Sequence, residues 1–548
     1  MKSLVFCFIL LCGAMCLNAQ ADPDWLWAVR AGSAEEDLGA AISGDGNGNV
    51  YVTGLFAGTV VFGSLTLTSA GGTDVFVAKL DTSGNWLWAV RAGGADYEHG
   101  YGIHTTSGGV SYITGYFQDS ADFGATTLSS EGETDIYIAK LDADGNWLWA
   151  TRAGGASYDQ GNSISVDEGG NCYVTGCFQG TAHFGFYQMT SAGNYDIFIA
   201  KADTDGNWTW NKRAGGIGDD RGYGVDTDGQ GNCYATGYFA TSTLFGTITL
   251  TDGGVFAVKL DTSGNWLWAR KADGNNYASG TGIVTTADGH SRVTGHFEAS
   301  LGFGASSITS NGDRDVFVAA LDSGGTWLWA ASAGGTDYDT SMGLTLDAAD
   351  NTYVTGRFQD TAAFGASSLT SAGESDIFIA CLNPSGIWQW SRRAGGSYYD
   401  FGNGVATDSS GNIFCTGEFW NSADFGAANL TSSGYNDIVV CKLGAGVDAD
   451  DMVQIPTADF QLCVFPNPFR PETNIFYTLP KAESVSLKIY TSRGQLVRSL
   501  LNEEQPAGGH SLIWNGKDDL GKGVASGLYL CRVVCNGQQE TRRMLLLK

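Results

Sequence analysis

Residues 135–155, DIYIAKLDADGNWLWATRAGG, decide the fold, because the stretch returns along the chain with its landmarks in place. Its Trp-x-Trp pair stands at Trp25/Trp27, Trp86/Trp88, Trp147/Trp149, Trp208/Trp210, Trp266/Trp268, Trp327/Trp329 and Trp388/Trp390. The spacing is 61 residues, except for one step of 58 between Trp208 and Trp266. A fixed period of this length marks an array of one supersecondary unit, none of which buries its apolar face without a neighbour.

Within the unit that starts at Trp86, WLWAVRAG predicts a strand, ADYEHG a loop, and YGIHTTSGGVSYITGYF two strands about a Ser-Gly-Gly turn. A longer connection, QDSADFGATTLSSEGETD, leads to the alternating strand DIYIAKLD, and ADGN turns the chain into the next Trp-x-Trp. Four strands per unit, turn residues at each junction and no helical period predict an all-β blade, and seven such blades a closed propeller. The chain enters on the outermost strand and the seventh unit lacks one, so residues 25–30 should pair beside 437–443 and close the ring. TGxF recurs in every unit (Gly54/Phe56 through Gly417/Phe419), as does Phe-Gly from Phe62 to Phe425. Glycine kept inside strands predicts close backbone approach.

The ends differ from this body. An apolar run from Leu4 to Cys12 behind Lys2, followed by small residues, has the layout of a signal peptide over 1–20 with cleavage near Ala19 or Ala21. No later run has membrane-spanning length. The formal net charge is −28, and the part before Ala458 carries all of the excess acid. Such a surface repels phosphate, which argues against nucleic acid as a partner. Six of the eight prolines lie between Pro456 and Pro506. Charge and proline together divide the chain into a propeller over 25–445, a linker over 446–462 and a small antiparallel sandwich over 463–548. The cysteines of the body (Cys172, Cys233, Cys381, Cys415, Cys441) do not recur with the repeat, which predicts buried free thiols rather than a disulfide framework.

The pattern D-x-x-GN-x-Y-V-T-G-x-F followed by DIFIAKLD-x-x-GN-W-L-W resembles the bacterial seven-bladed β-propeller repeat family. The tail, with FPNPF, IY-x-x-x-G-x-x-V, W-x-G-x-D-x-x-G and SG-x-Y, resembles both the C-terminal sorting domain of type IX secretion substrates and the immunoglobulin-like domain of flagellar hook-capping proteins. The first resemblance implies an extracytoplasmic fold without a fixed reaction. The second implies that secretion machinery reads residues 463–548 and delivers the protein to the cell surface or beyond it.

Chemistry is sparse. The Asp-x-x-Gly-Asn turns are too short for an EF-hand and read as Asx turns. The histidines His99, His104, His183, His290, His296 and His510 stand alone at their repeat positions and read as solvated or turn residues. No catalytic residue, metal site or cofactor is expected. Just before the inner strand, one position carries Asp37, Glu98, Asp159, Asp220, Ala278, Asp339 and Asp400, preceded in most units by an aromatic: Tyr97, Tyr158, Tyr277, Tyr338, Tyr399. Sevenfold geometry sets these as an acidic and aromatic ring on one rim, open to a cation or a sugar. Against that, Arg30, Arg91, Arg152, Arg213 and Arg393 stand seven residues earlier, which predicts ion pairs along each blade junction. The variable position inside TGxF (Leu55, Tyr116, Cys177, Tyr238, His296, Arg357, Glu418) either drifts in solvent or lines a discriminating surface. The expected role is a secreted, non-enzymatic binding or scaffold module for a protein or glycan. The rivals are a glycoside hydrolase or lyase using rim acids such as Glu98 and Asp159, and a structural surface-layer component.

Overall fold

The computed structural model describes residues 22–274, 277–444 and, with gaps at 466–472, 480–482, 492, 494, 506–507 and 536–537, residues 461–546. The expected signal peptide and nearly all of the expected linker lie outside the described residues. The chain divides into two compact units, Met1–Gly446 and Val447–Lys548.

The first unit is built from seven antiparallel four-stranded sheets. In blade 1 these are Asp37–Gly44 (strand a), Val50–Phe62 (b), Leu65–Leu80 (c) and Trp86–Gly94 (d), paired in that order. Strands a of the seven blades touch one another in cyclic order, and the last, Asp400–Thr407, meets the first, Asp37–Gly44. The ring is therefore closed around a central channel. Asp24–Gly32 is the outer strand of blade 7, with Trp25 opposite Leu443 and Ala31 opposite Ile438, which is the closure the sequence predicts.

The long connection between strands b and c is not a loop. It folds as a second hairpin, Ser120–Phe123 with Thr126–Ser129 in blade 2, and in blades 1, 3 and 7 strands b and c simply run on into it. The Phe-Gly position makes its tip: Phe62 faces Leu65 across a two-residue turn in which Gly63 has φ 60°, the conformation glycine adopts at the first turn position. Each hairpin leans back onto strand d of the preceding blade, as Gly93 opposite Asp122 and Gly395 opposite Asp424 show.

The tryptophans pack within and between the blades. The first of each pair packs edge-on against the hairpin phenylalanine, as Trp86 does on Phe62 with ring centroids 5.0 Å apart. In six pairs the second donates its indole N–H to a turn carbonyl of the next blade at 3.0–3.1 Å: Trp27 to Thr82, Trp88 to Ala143, and so on to Trp329 with Pro384. The TGxF glycine has a steric reason. A Cβ there would lie 1.8–2.0 Å from a strand-a carbonyl oxygen in all seven blades, Gly54 against Leu38 and Gly176 against Gln160 among them. The close approach is within one blade, at a bulge between strands a and b, rather than between blades.

The second unit has a three-stranded sheet (Gln461–Phe465, Thr473–Leu479, Gly508–Trp514) and a four-stranded one in the order Leu496–Gln505, Glu483–Thr491, Gly527–Cys535, Gln538–Leu546. Its core holds Ile475, Val485, Leu487, Ile489, Trp514 and Met544. The first strand starts inside the span expected as linker. Among the described residues no helix is long and apolar enough to cross a membrane.

Candidate functional site

The rim acids are not on the rim surface. Asp37, Glu98, Asp159, Asp220, Asp339 and Asp400 are all 0% exposed. Each carboxylate accepts the backbone N–H four residues before it, from Ser33, Gly94, Gly155, Gly216, Gly335 and Gly396, at 2.5–2.7 Å. In Asp37, Asp159, Asp220, Asp339 and Asp400 the other oxygen takes an N–H from the end of strand b at 2.9–3.3 Å. Burial, the largest influence, outweighs these bonds and pushes Asp37, Glu98, Asp339 and Asp400 up to about 7 and Asp159 to about 8. Glu98 and Asp159 thus have no path to a substrate in this conformation.

The expected ion pairs are also redrawn. Arg91 pairs with Asp74, Arg152 with Asp135, Arg393 with Asp376 and Arg30 with Asp437, while Arg213 meets Asp196 at 2.9 Å. Register explains the choice: Arg91 lies opposite Phe76 on strand c, and Asp74 is the next residue of that face. The two buried acids then flank one glycine. A Cβ on Gly334 would fall 2.6 Å from Asp315 and 2.8 Å from Asp339. Two junctions depart from the rule. Between blades 5 and 6, Ser332 replaces the arginine while Asp315 and Asp339 stay. Between blades 4 and 5, all three positions change together, to Gly254, Lys271 and Ala278. The Asx-turn reading holds: Asp81 accepts N–H bonds from Ser83 and Asn85, and the Asn85 amide returns to it.

The tyrosines that precede the acids are exposed, Tyr97 at 57% and Tyr399 at 41%, with Tyr158 and Tyr338 between. Two of them pack against neighbouring side chains. Arg314 lies over the Tyr338 ring at 5.3 Å, and Tyr399 packs with Phe401 and Trp420. That variable position does not drift in solvent: Leu55, Cys177 and Glu418 are buried, and Tyr116, Tyr238, His296 and Arg357 are half-buried. The solvated reading of the histidines fails where it matters most. His99 is 8% exposed with no partner on Nε2, and His296 has none on Nδ1. Burial lowers His99 and His296 to about 3 and His104 to about 4, so all three are neutral.

Both His99 and His296 line the central cavity of 680 Å³, with Tyr101, Gln160, Tyr223 and Tyr238. The bulge in strand a is what aims Tyr101, Asn162, Tyr223, Met342 and Asn403 into it, because the register shifts at each of these residues. The sequence signal was present, since this position is as variable as the TGxF one. Reading it required knowing that an extra residue turns inward. At this mouth sevenfold symmetry is lost: His99 stacks on Tyr101 at 3.8 Å on one side, and Arg357 covers Phe401 at 4.5 Å on another. The free cysteines Cys172, Cys177, Cys233, Cys381, Cys415, Cys441 and Cys531 are buried thiols, as expected. Among the described residues no cluster of three metal-ligating side chains exists.

Comparison with known proteins agrees with the architecture. A β-propeller repeat model (SBBP) matches residues 148–176 and 389–421, and a FlgD Ig-like domain model matches 472–538. An uncharacterized WD repeat-containing protein L264 of Acanthamoeba polyphaga mimivirus is 24% identical over 62% of this chain and 32% of its own length. The regulatory protein FlaEY of Caulobacter vibrioides is 26% identical over 25% of this chain and 15% of its own. The chain thus spans about a third or less of these relatives. Two solved structures align with it. PorZ, an essential surface component of the type-IX secretion system of Porphyromonas gingivalis, is 13% identical over 92% of this chain and 73% of that one, with TM-score 0.26. The gluconolactonase XC5397 of Xanthomonas campestris is 14% identical over 60% and 95%, with TM-score 0.28. At these TM-scores neither informs the reading of this molecule. The strand pairing and the two family models agree: β-propeller repeats in the first unit, with SBBP matches at 148–176 and 389–421, and a FlgD Ig-like match over 472–538 in the second.

Proposed function

We propose that this protein is a secreted, non-enzymatic binding module that presents the channel mouth of its propeller at the cell surface, and that its C-terminal unit is the sorting element. One observation carries the binding reading: the repeat is kept at strand pairing, tryptophan contacts and the aliphatic lining of the channel, and is abandoned at the inward bulge of strand a and at the TGxF position beside it. Variation at half-buried polar and aromatic positions around a concave surface is what a ligand site on a repetitive scaffold requires. The carboxylates that would serve a hydrolase are held by backbone N–H groups.

Two measurements test this. The full chain, probed on arrays of glycans and peptides, is expected to retain a ligand that a Tyr223→Ala, Tyr238→Ala variant loses, and to release it chemically unchanged. Turnover of the retained ligand would overturn the non-enzymatic reading. For delivery, cells carrying the protein without residues 463–548 are expected to hold it in the periplasm. Unchanged surface display of the truncated protein would remove the sorting role.

A further inference from the structure

The propeller is strongly acidic, yet beside its channel mouth two arginines make no ion pair. The whole protein has 58 Asp and Glu against 30 Lys and Arg. Of the propeller arginines, Arg30, Arg91, Arg152, Arg213, Arg314, Arg392 and Arg393 each have a carboxylate partner. Arg270 and Arg292 donate to backbone carbonyls. That leaves Arg221 and Arg357, both half-buried and set just behind the cavity lining, Arg221 near Tyr101 and Tyr223 and Arg357 near His296. Arg221 lies over the Tyr195 ring at 4.3 Å and reaches the Cys177 sulfur at 3.8 Å; Arg357 lies over Phe401. Among the described residues neither has a carboxylate oxygen within the 4.0 Å of an ion pair.

Two acids do stand in their fields, Asp219 near Arg221 and Glu418 near Arg357. Glu418 is 5% exposed, accepts the Asn436 amide, and burial lifts it to about 8. At neutral pH it is therefore mostly protonated and leaves Arg357 uncompensated. Arg314, itself paired with Glu298, lies near both Arg357 and His296. A guanidinium kept on an aromatic face, with no acid in ion-pair contact, is poised for an incoming carboxylate, to which it binds through two parallel N–H bonds.

The rest of the mouth suits a sugar ring better than a peptide. Ring faces and single polar tips, the His99–Tyr101 stack, Tyr223, Tyr238 and the Gln160 and Asn162 amides, share its walls with an aliphatic band that includes Ile103, Ile164 and Ile283. The unpartnered His99 Nε2 and His296 Nδ1 lack hydrogen-bond partners of the kind a hydroxyl supplies. The cavity of 680 Å³ has the volume of small-ligand sites and not of a groove for an extended chain. We propose that the channel mouth binds a carboxylate-bearing saccharide of the uronate type, its carboxylate held by Arg221 or Arg357 and its ring laid on the tyrosines. This rests on the reading of the mouth as a binding site and names the ligand class it takes.

The test is calorimetric titration of the full chain with a short oligogalacturonate, its methyl ester, a neutral oligosaccharide of equal length and an oligoglutamate peptide. The acid is expected to bind at least about tenfold tighter than its ester, and raised salt to weaken it. Arg221→Gln or Arg357→Gln is expected to abolish that preference, with an unchanged thermal transition showing that the variant is folded. Equal affinity for acid and ester, or an acid preference surviving in the double variant Arg221→Gln, Arg357→Gln, overturns the proposal. So does tighter binding of oligoglutamate than of oligogalacturonate. If neutral sugars or peptides bind and Tyr223→Ala, Tyr238→Ala abolishes this, the ligand class is wrong while the mouth remains a binding site. If no probe binds at all, both fail.

Discussion

Gly176 and Gly46 show how differently two glycines of one repeat array are constrained. At Gly176 a Cβ would sit 1.9 Å from the Gln160 carbonyl oxygen, which belongs to the backbone and cannot yield. Gly176→Ala is expected to lower the unfolding free energy by about 3 kcal/mol or more in chemical denaturation. Gly46 has φ 74° with open space around it, so Gly46→Ala should cost only about 1 kcal/mol. The acid pair without an arginine gives a contrast of sign. Asp315 Oδ1 has no partner, and Asp339 lies across Gly334 from it. Asp315→Asn is expected to raise the melting temperature at pH 8 by removing a buried like charge and adding a donor. Asp135→Asn, which strips Arg152 of its buried partner, is expected to lower it. The sequence displayed both acid positions and the arginine one but not their pairing. Seven residues of separation made Arg91 and Glu98 look like neighbours, whereas the sheet register brings Arg91 to Asp74, seventeen residues upstream.

At the level of strands, the period of the tryptophans made closure predictable, because a first unit that begins on an outer strand needs a last unit that lacks one. What the pattern hid was the second hairpin. Its arms are three to four residues in four blades, such as Thr243–Phe245 and Ile248–Leu250, too short for alternation to show. The closing strand also invites a test. Without residues 22–32, the edge of Ala428–Gly444 loses its ladder partner and the phenylalanine Phe425 loses Trp25. That truncated chain is expected to self-associate, seen as mass above monomer in light scattering, and a synthetic peptide of residues 22–32 added in excess should suppress the association. A monodisperse truncated monomer would contradict the role given to this strand.

Over the whole propeller, the junction acids act together. Their folded-state values lie near 7 to 8, well above those of an unfolded chain, so between about pH 4 and pH 8 the folded protein holds more protons. Stability is then greatest at the acidic end of that window and falls as pH rises through the folded values. The urea midpoint of the full chain is expected to be higher at pH 5 than at pH 8, and a midpoint rising with pH would contradict the burial argument. Fold, order of strands and closure were readable because they repeat. The channel mouth was only partly readable, through the variability of Tyr116, His296, Arg357 and Glu418, since a site defined by departure from a repeat carries no recurring signature.

The junction between blades 4 and 5 has given up both acids and the arginine at once, Gly254, Lys271 and Ala278 standing in their place, and it follows the one shortened interval between tryptophans. A hoop welded alike at five points, short of one arginine at a sixth and of all three groups at the seventh, has a preferred place to part. Amide hydrogens of Trp266–Lys271 and Ser279–Thr285 should exchange ahead of their counterparts elsewhere in the circle, and a pulling force should split the molecule there first.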